Sequence, residues 1–165
     1  MTRLAWIAGI TLLLGAAEET DLRRFPIDSV DGLISIAGVK LDRAVTVDAN
    51  GSLELTAQHP TTFRLYETGD LDVEEAMIFY RARVKTRRVK GEAYLEMWCH
   101  FPGRGEFFSR GLQYSLRGTN HWVDVEAPFI LRKGDNIKLN VVINGSGKVW
   151  IDDIRLVKAP PPPEV

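Results

Sequence analysis

From Leu33 onward, apolar and polar residues alternate with period two along most of the chain. That period places successive side chains on opposite faces of an extended strand and argues for half-buried β-structure. The alternating or β-branched runs are Leu33 to Val39, Ala44 to Val47, Ser52 to Ala57, Thr62 to Tyr66, Ala76 to Lys85 and Glu92 to Phe101. They continue with Phe107 to Leu116, His121 to Phe129, Asp135 to Ile143 and Val149 to Val157. Between them stand residues that favour turns: Asn50-Gly51, Thr68-Gly69-Asp70, Pro102 to Gly105, Arg117 to Asn120, Lys133 to Asp135 and Asn144 to Gly147. Short strands at this spacing predict an all-β sandwich or barrel. Only Val73 to Ala76 has the makings of a helical turn, and residues 18 to 31 read as a polar leading segment along the domain edge.

One run holds more chemistry than a plain strand requires. In EAYLEMWCHF, Ala93, Leu95, Met97, Cys99 and Phe101 form an apolar list. Glu92, Tyr94, Glu96, Trp98 and His100 form the opposite one. The first is a core face. The second is either a binding face or a second buried layer.

Composition narrows the classes. A chain of 165 residues fits one domain, and a formal net charge of −1 lacks the basic excess of a nucleic-acid binder, while leaving room for a local basic patch. The N-terminus reads as a signal peptide over residues 1–17: Arg3, an apolar run from Leu4 to Ala17, and small residues before Glu18. That run is short of the roughly 20 residues a membrane-crossing helix needs, so an uncleaved anchor is the second reading. The protein is therefore expected to be secreted or held in the cell envelope, with no membrane span after cleavage. Its single cysteine, Cys99, excludes an internal disulfide and lies on the apolar list, away from His100. The Pro-rich end, 159–165, cannot pair in a sheet and is expected to be an exposed tail beyond a domain over 18–158.

Three stretches carry a family resemblance. Gly145-Ser146-Gly147-Lys148-Val149-Trp150-Ile151-Asp152-Asp153-Ile154-Arg155-Leu156 resembles the closing strand of galactose-binding-like jelly rolls. Gly118-Thr119-Asn120-His121-Trp122, followed by Val125, Pro128 and Phe129, is similar to an inner strand of the same fold, and Asn50 to Leu55 to an early one. The resemblance implies a jelly-roll β-sandwich of two antiparallel sheets. It also implies kinship with carbohydrate-binding modules of secreted glycoside hydrolases. The N-terminal segment from which those modules often build a calcium site has no counterpart here.

The candidate residues follow from the strand faces. Parity with Ile154 and Leu156 puts Asp152 on the core side together with Trp150, and a buried carboxylate must be hydrogen-bonded, paired or bound to a metal. Backbone or side-chain hydrogen bonds are the first reading; a structural Ca²⁺ is the second. The ligand-binding candidates are Arg81, Arg83, Tyr94, Glu96, Trp98, His100, Lys138 and Asn140, expected on one surface when their strands lie side by side. Aromatic rings that stack on a sugar, with planar polar groups around them, are what carbohydrate recognition uses. A solvated sheet face with cross-strand ion pairs and a contact surface for another protein compete with that reading. The first functional expectation is thus an exported, non-catalytic carbohydrate- or glycan-binding module. The alternative is a structural or adhesive envelope protein that contacts another protein through the same face. Catalysis is disfavoured: Glu92 and Glu96 lie about 13 Å apart along one strand face, beyond the separation glycoside hydrolysis uses. The three histidines lack the spacing of a transition-metal site.

Overall fold

Two long strands, β5 (Glu75–Phe101) and β8 (Asn136–Lys158), pair antiparallel over nearly their whole length and organise everything else. The computed structural model describes residues 18–132 and 136–160. The expected signal segment and residues 161–165 of the expected tail lie outside the described residues. The remaining strands are β1 (Thr20–Phe25), β2 (Val39–Asp42), β3 (Ser52–Ala57), β4 (Thr61–Gly69), β6 (Gly105–Arg110) and β7 (Leu116–Arg132).

The β5–β8 ribbon bends in its middle, and its two halves lie in different layers of a sandwich. In the first layer β5 residues 75–86 and β8 residues 147–158 pair with each other; β7 lies outside β5, and β1 and β3 lie outside β8, with β2 beyond β3. In the second layer β5 residues 92–101 pair with β8 residues 136–144, flanked by β6 and β4. At the bend the β5–β8 register shifts between Arg87 and Lys90 and pairing then resumes, so the two layers are one folded sheet. Val84, Val125 and Val149 of the first layer meet Leu95 and Val141 of the second around a void of only about 10 Å³. The interior is one apolar cluster drawn from both layers. This is the expected all-β jelly-roll sandwich.

Three details depart from the sequence reading. Asn144 to Gly147 and Arg117 to Asn120 were expected to end strands, but both lie inside them, in β8 and β7. Glycine at the first serves close packing within a strand. A Cβ on Gly91 would lie 2.1 Å from the Asn144 carbonyl oxygen, and one on Gly145 would lie 1.8 Å from that of Lys90. Leu33 to Gly38 and Ala44 to Val47 are loops; the first is tied to β4 by Ile34 and Ser35 amides donating to Leu65 and Arg64. The helical turn is a single 3-10 turn at Leu112–Tyr114, not at Val73 to Ala76, where β5 begins.

The parity argument for Asp152 also fails, for a local reason. Asp153 takes a left-handed backbone (φ 51), and the register with β5 shifts there. Such a bulge adds a residue to one strand and resets its alternation. Val149, Ile151, Ile154 and Leu156 therefore all join the core, while Trp150 and Asp152 project from the outer face. Both are nonetheless buried, beneath the loop that follows β2. Among the described residues no helix is long and apolar enough to cross a membrane.

Gly91→Ala should be costly. Its backbone is left-handed (φ 84) and its Cβ would strike the facing strand, so strain and overpacking together should remove at least about 2 kcal/mol. Gly103→Ala, at φ 73 in an open turn with nothing within 4 Å, should lose about 1 kcal/mol. Urea unfolding of the two variants measures the difference; equal losses would show that the bend tolerates a side chain.

Candidate functional site

The outer face of the second layer is built by a tight hairpin. The turn after Phe101, closed by the Arg104 amide on the Phe101 carbonyl, sets the register of β6 against β5. Trp98 then faces Phe108, Glu96 faces Arg110 and His100 faces Glu106. On the other side β8 sets Asn140 opposite Glu96 and Lys138 opposite Trp98, and β4 sets Arg64 opposite Asn140. Together Thr62, Arg64, Glu96, Trp98, Arg110 and Asn140, with Glu106 and Lys138 at the rim, line a depression of about 310 Å³.

The floor of this depression is polar and nevertheless buried: Glu96 and Asn140 are each 4% exposed. Glu96 accepts from the Trp98 indole N–H (2.8 Å), from Arg110 Nε (2.8 Å) and from Asn140 Nδ2 (3.2 Å). Burial alone would raise its carboxyl pKa; the hydrogen bonds from Arg110, Trp98 and Asn140 outweigh that and hold it below the ordinary carboxylate range. Asn140 Oδ1 is buried with no hydrogen-bond partner. At the rim Lys138 Nζ donates to Glu106 (2.5 Å), which lowers the Glu106 carboxyl. Trp98 and Phe108 lie 4.9 Å apart, centroid to centroid, with planes 38° from parallel, and Arg110 sits 4.7 Å from the Phe108 ring centre. Phe108 is 50% exposed. The question raised by the polar list of residues 92–101 thus has a double answer: a buried polar layer, and an aromatic shelf beside it.

Of the sequence-predicted residues, Glu96, Trp98, Lys138 and Asn140 come together here. Tyr94 and His100 share the strand face but do not line the depression; burial raises the Tyr94 pKa. Arg81 and Arg83 do not join them. The expectation of one common surface is corrected by the bend in β5, which carries both arginines to the other layer. There Arg81 is held by Glu19 (2.5 and 2.9 Å) and Glu126 (2.9 Å), and Arg83 lies 3.4 Å from Asp124. With Tyr114, Asp153 and Arg155 they line a separate depression of about 290 Å³. Phe108, Arg110 and Arg64 were missed. The signal for the first two was present: a hairpin closing at Pro102 to Gly105 requires Phe108 to face Trp98 and Arg110 to face Glu96.

Asp152, the calcium candidate, accepts from the Val47 amide (2.9 Å), the Asp153 amide (2.7 Å) and the Thr46 hydroxyl (3.3 Å). Two of the three are backbone N–H groups, which cannot ligate Ca²⁺, and the third, the Thr46 hydroxyl, donates its proton here. Among the described residues no group of three or more His, Cys, Asp or Glu side chains is placed to hold a metal. The carboxylate's geometry is that of an anchor for the loop over β3 and β8. Cys99 is buried, and burial pushes its thiol up to about 12, which leaves it a neutral core residue at physiological pH.

No family model matches the chain, and no match to a curated protein was found. Solved structures do match. The CBM22-1 xylan-binding domain of Xyn10C from Paenibacillus barcinonensis superposes with a TM-score of 0.63 at 12% identity, over 89% of this chain and 99% of that one. The family 30 carbohydrate-binding module of cellulosomal cellulase Cel9D-Cel44B from Clostridium thermocellum gives 0.56 at 15% identity, over 84% and 96%. The chain has the galactose-binding-like jelly-roll fold of carbohydrate-binding modules. A third jelly roll, in the CBM22-1-GH10 modules of Clostridium thermocellum xylanase 10B complexed with xylohexaose, matches with a TM-score of 0.63 at 11% identity, over 84% of this chain. This chain spans 28% of that one. At these identities the likeness is one of fold.

Within this jelly roll Glu96 carries a pH dependence whose sign is set by its lowered pKa. A carboxyl that is more acidic folded than unfolded stabilises fully above its unfolded value, near 4.5, and loses that contribution as pH falls through the folded value. The stability gap between wild type and Glu96→Gln should therefore be widest at neutral pH and close below about 4.5. Arg110→Ala should cost about 1–3 kcal/mol at pH 7 by removing a charge-assisted hydrogen bond to a buried carboxylate. Chemical denaturation across pH checks both, and a pH-independent gap would show that Glu96 is not ionised in place.

Proposed function

We propose that the protein is an exported, non-catalytic carbohydrate-binding module whose ligand lies across the depression on the second layer. The observation that carries this reading is the pairing of the Trp98–Phe108 shelf with the buried Glu96–Asn140–Arg110 network beside it. An aromatic surface takes the apolar face of a sugar ring, and fixed polar groups at its edge select hydroxyl positions. A network buried at the floor keeps its geometry without a ligand, so little order has to be imposed on binding. The fold agrees with this role: it is shared with the CBM22-1 xylan-binding domain of Xyn10C. The apolar leader over residues 1–17 supports export.

Two carboxylates line the depression, yet neither suits acid catalysis. Glycoside hydrolysis needs one carboxyl that holds a proton near neutral pH. Glu96 and Glu106 are both held below the ordinary range, by hydrogen bonds in one case and by Lys138 in the other. Such groups accept hydrogen bonds from a ligand instead of giving it a proton.

A glycan array followed by calorimetry on the strongest ligand, with xylohexaose included, tests the proposal. Trp98→Ala and Phe108→Ala should each weaken binding by roughly 10- to 100-fold, the loss expected when a buried aromatic anchor is truncated. No hydrolysis product should form. Unchanged affinity in both variants would remove this face as the site, and a wild type that binds no glycan would favour the protein-contact alternative.

A further inference from the structure

The bend of the β5–β8 ribbon carries a second surface, remote in chemistry from the first. Residues 85–90, Lys-Thr-Arg-Arg-Val-Lys, hold four cations and no acid, in a chain whose net charge is −1. Arg87, Arg88 and Lys90 are exposed. None of the three side chains has a hydrogen bond or ion pair among the described residues, whereas Arg81, Arg83, Arg110 and Arg117 each face a carboxylate. Arg87 stands opposite Lys148 across the ribbon, and Lys148 stands opposite Thr56 of β3, which makes a row across three strands. Beside this row lies a shallow trough of about 420 Å³, lined by Thr56, Gln58, Arg87, Arg88 and Lys148 with the backbone of Gly147. Among the described residues no carboxylate lines it, and Lys148 pairs with Glu54 at 2.9 Å.

The arrangement is held open by backbone constraints. Arg88 has a left-handed backbone (φ 51) and its amide donates to Thr119 Oγ1 (3.0 Å). A residue with a Cβ in that region costs about 1 kcal/mol or more, and the Arg88 side chain is exposed there. Beneath the bend the two backbones approach so closely that a Cβ at Gly91, Gly145 or Gly147 would strike the facing strand. Cations gathered without partners repel one another, and an anionic polymer relieves that repulsion while releasing its own counterions.

From this geometry we infer that the bend is a binding surface for an acidic polysaccharide, one bearing carboxylates or sulfates along its length. Guanidinium groups pair with such oxyanions in a bidentate manner, and Thr56 and Gln58 offer donors for adjacent hydroxyls. The trough is open to solvent, so a chain longer than the trough can cross it. No aromatic ring lines it for stacking nucleobases, and none of the exposed large apolar side chains lies in it to enter a bilayer. The surface shares no lining residue with the Trp98 depression, so the two functions stand or fall separately.

The test titrates the full chain with polygalacturonate and with dextran sulfate at low and at fourfold higher NaCl. Binding should weaken about tenfold or more between the two salt levels, as expected when several fixed cations displace counterions. The triple variant Arg87→Gln/Arg88→Asn/Lys90→Gln should lose about tenfold or more at low salt; Asn tolerates the left-handed backbone at 88. If thermal unfolding shows the triple variant to be damaged, Arg87→Gln/Lys90→Gln decides instead. Xylohexaose titration of the triple variant should match wild type, and Trp98→Ala should bind polygalacturonate normally. Should no neutral glycan of the array bind, or should Trp98→Ala and Phe108→Ala leave every affinity unchanged, while the polyanion results hold, the first proposal fails and this one stands. Absence of polyanion binding, wild-type affinity in the ridge variants, or loss of polyanion binding in Trp98→Ala would overturn it. So would tighter binding to phosphatidylglycerol vesicles or to single-stranded DNA than to either polysaccharide.

Discussion

The antiparallel pairing of β5 with β8, carried through a bend where glycine backbones touch, is the constraint on which this protein depends. A β-ribbon turns sharply only where side chains give way, and at Gly91 and Gly145 there is room for none. The bend turns one sheet into two facing layers and so creates a core. It also fixes what each outer surface receives. The residues before the bend in β5 supply Arg81 and Arg83 to one layer; those after it supply Glu96 and Trp98 to the other. The bend itself buries Thr86 and Val89 but leaves Arg87, Arg88 and Lys90 exposed, and so presents a surface of its own.

The alternation of residues 92–101 was legible, since Ala93, Leu95, Met97, Cys99 and Phe101 are all buried against the core. The two-layered jelly roll followed from such runs and from the G-x-V-W-I-D-D-I-x-L pattern of the closing strand. Strand ends were legible only where glycine marks a reversal. At Pro102 to Gly105 it does, and the chain turns back. At Asn144 to Gly147 the same residue types mark a crossing of two backbones inside a strand. Sequence spacing does not separate these cases, because glycine is required by both a positive φ and a close approach. Asp153 shows a second limit: one bulged residue reverses which neighbours face inward, and it sent Trp150 and Asp152 to the outer side of the sheet.

The candidate site was half legible for a related reason. Glu96, Trp98, Lys138 and Asn140 were reached because they alternate on strands that pair. Phe108 and Arg110 required one further step, the hairpin register, and Arg64 required knowing which strand flanks β8. Arg81 and Arg83 were misplaced by treating β5 as two independent strands free to lie side by side. Only the continuity of β5 shows that its two halves cannot share a face.

The two proposed surfaces differ in how their charges are balanced, and that difference follows from burial. In the Trp98 depression Glu96 is out of water, and an ionised carboxylate there must be met by donors; Arg110, Trp98 and Asn140 meet it. Its cations are therefore largely committed to internal partners, and what the depression offers a ligand is shape, aromatic area and oriented hydrogen bonds. Such a surface suits a neutral sugar. At the bend Thr86 and Val89 turn inward, while Arg87, Arg88 and Lys90 stay in water, so no carboxylate is needed to satisfy them and their charge is directed at solvent. Mutual repulsion among these exposed cations works against stability, and the left-handed backbone at Arg88 adds strain. A cluster that the fold maintains against its own stability is most simply explained by an anionic partner.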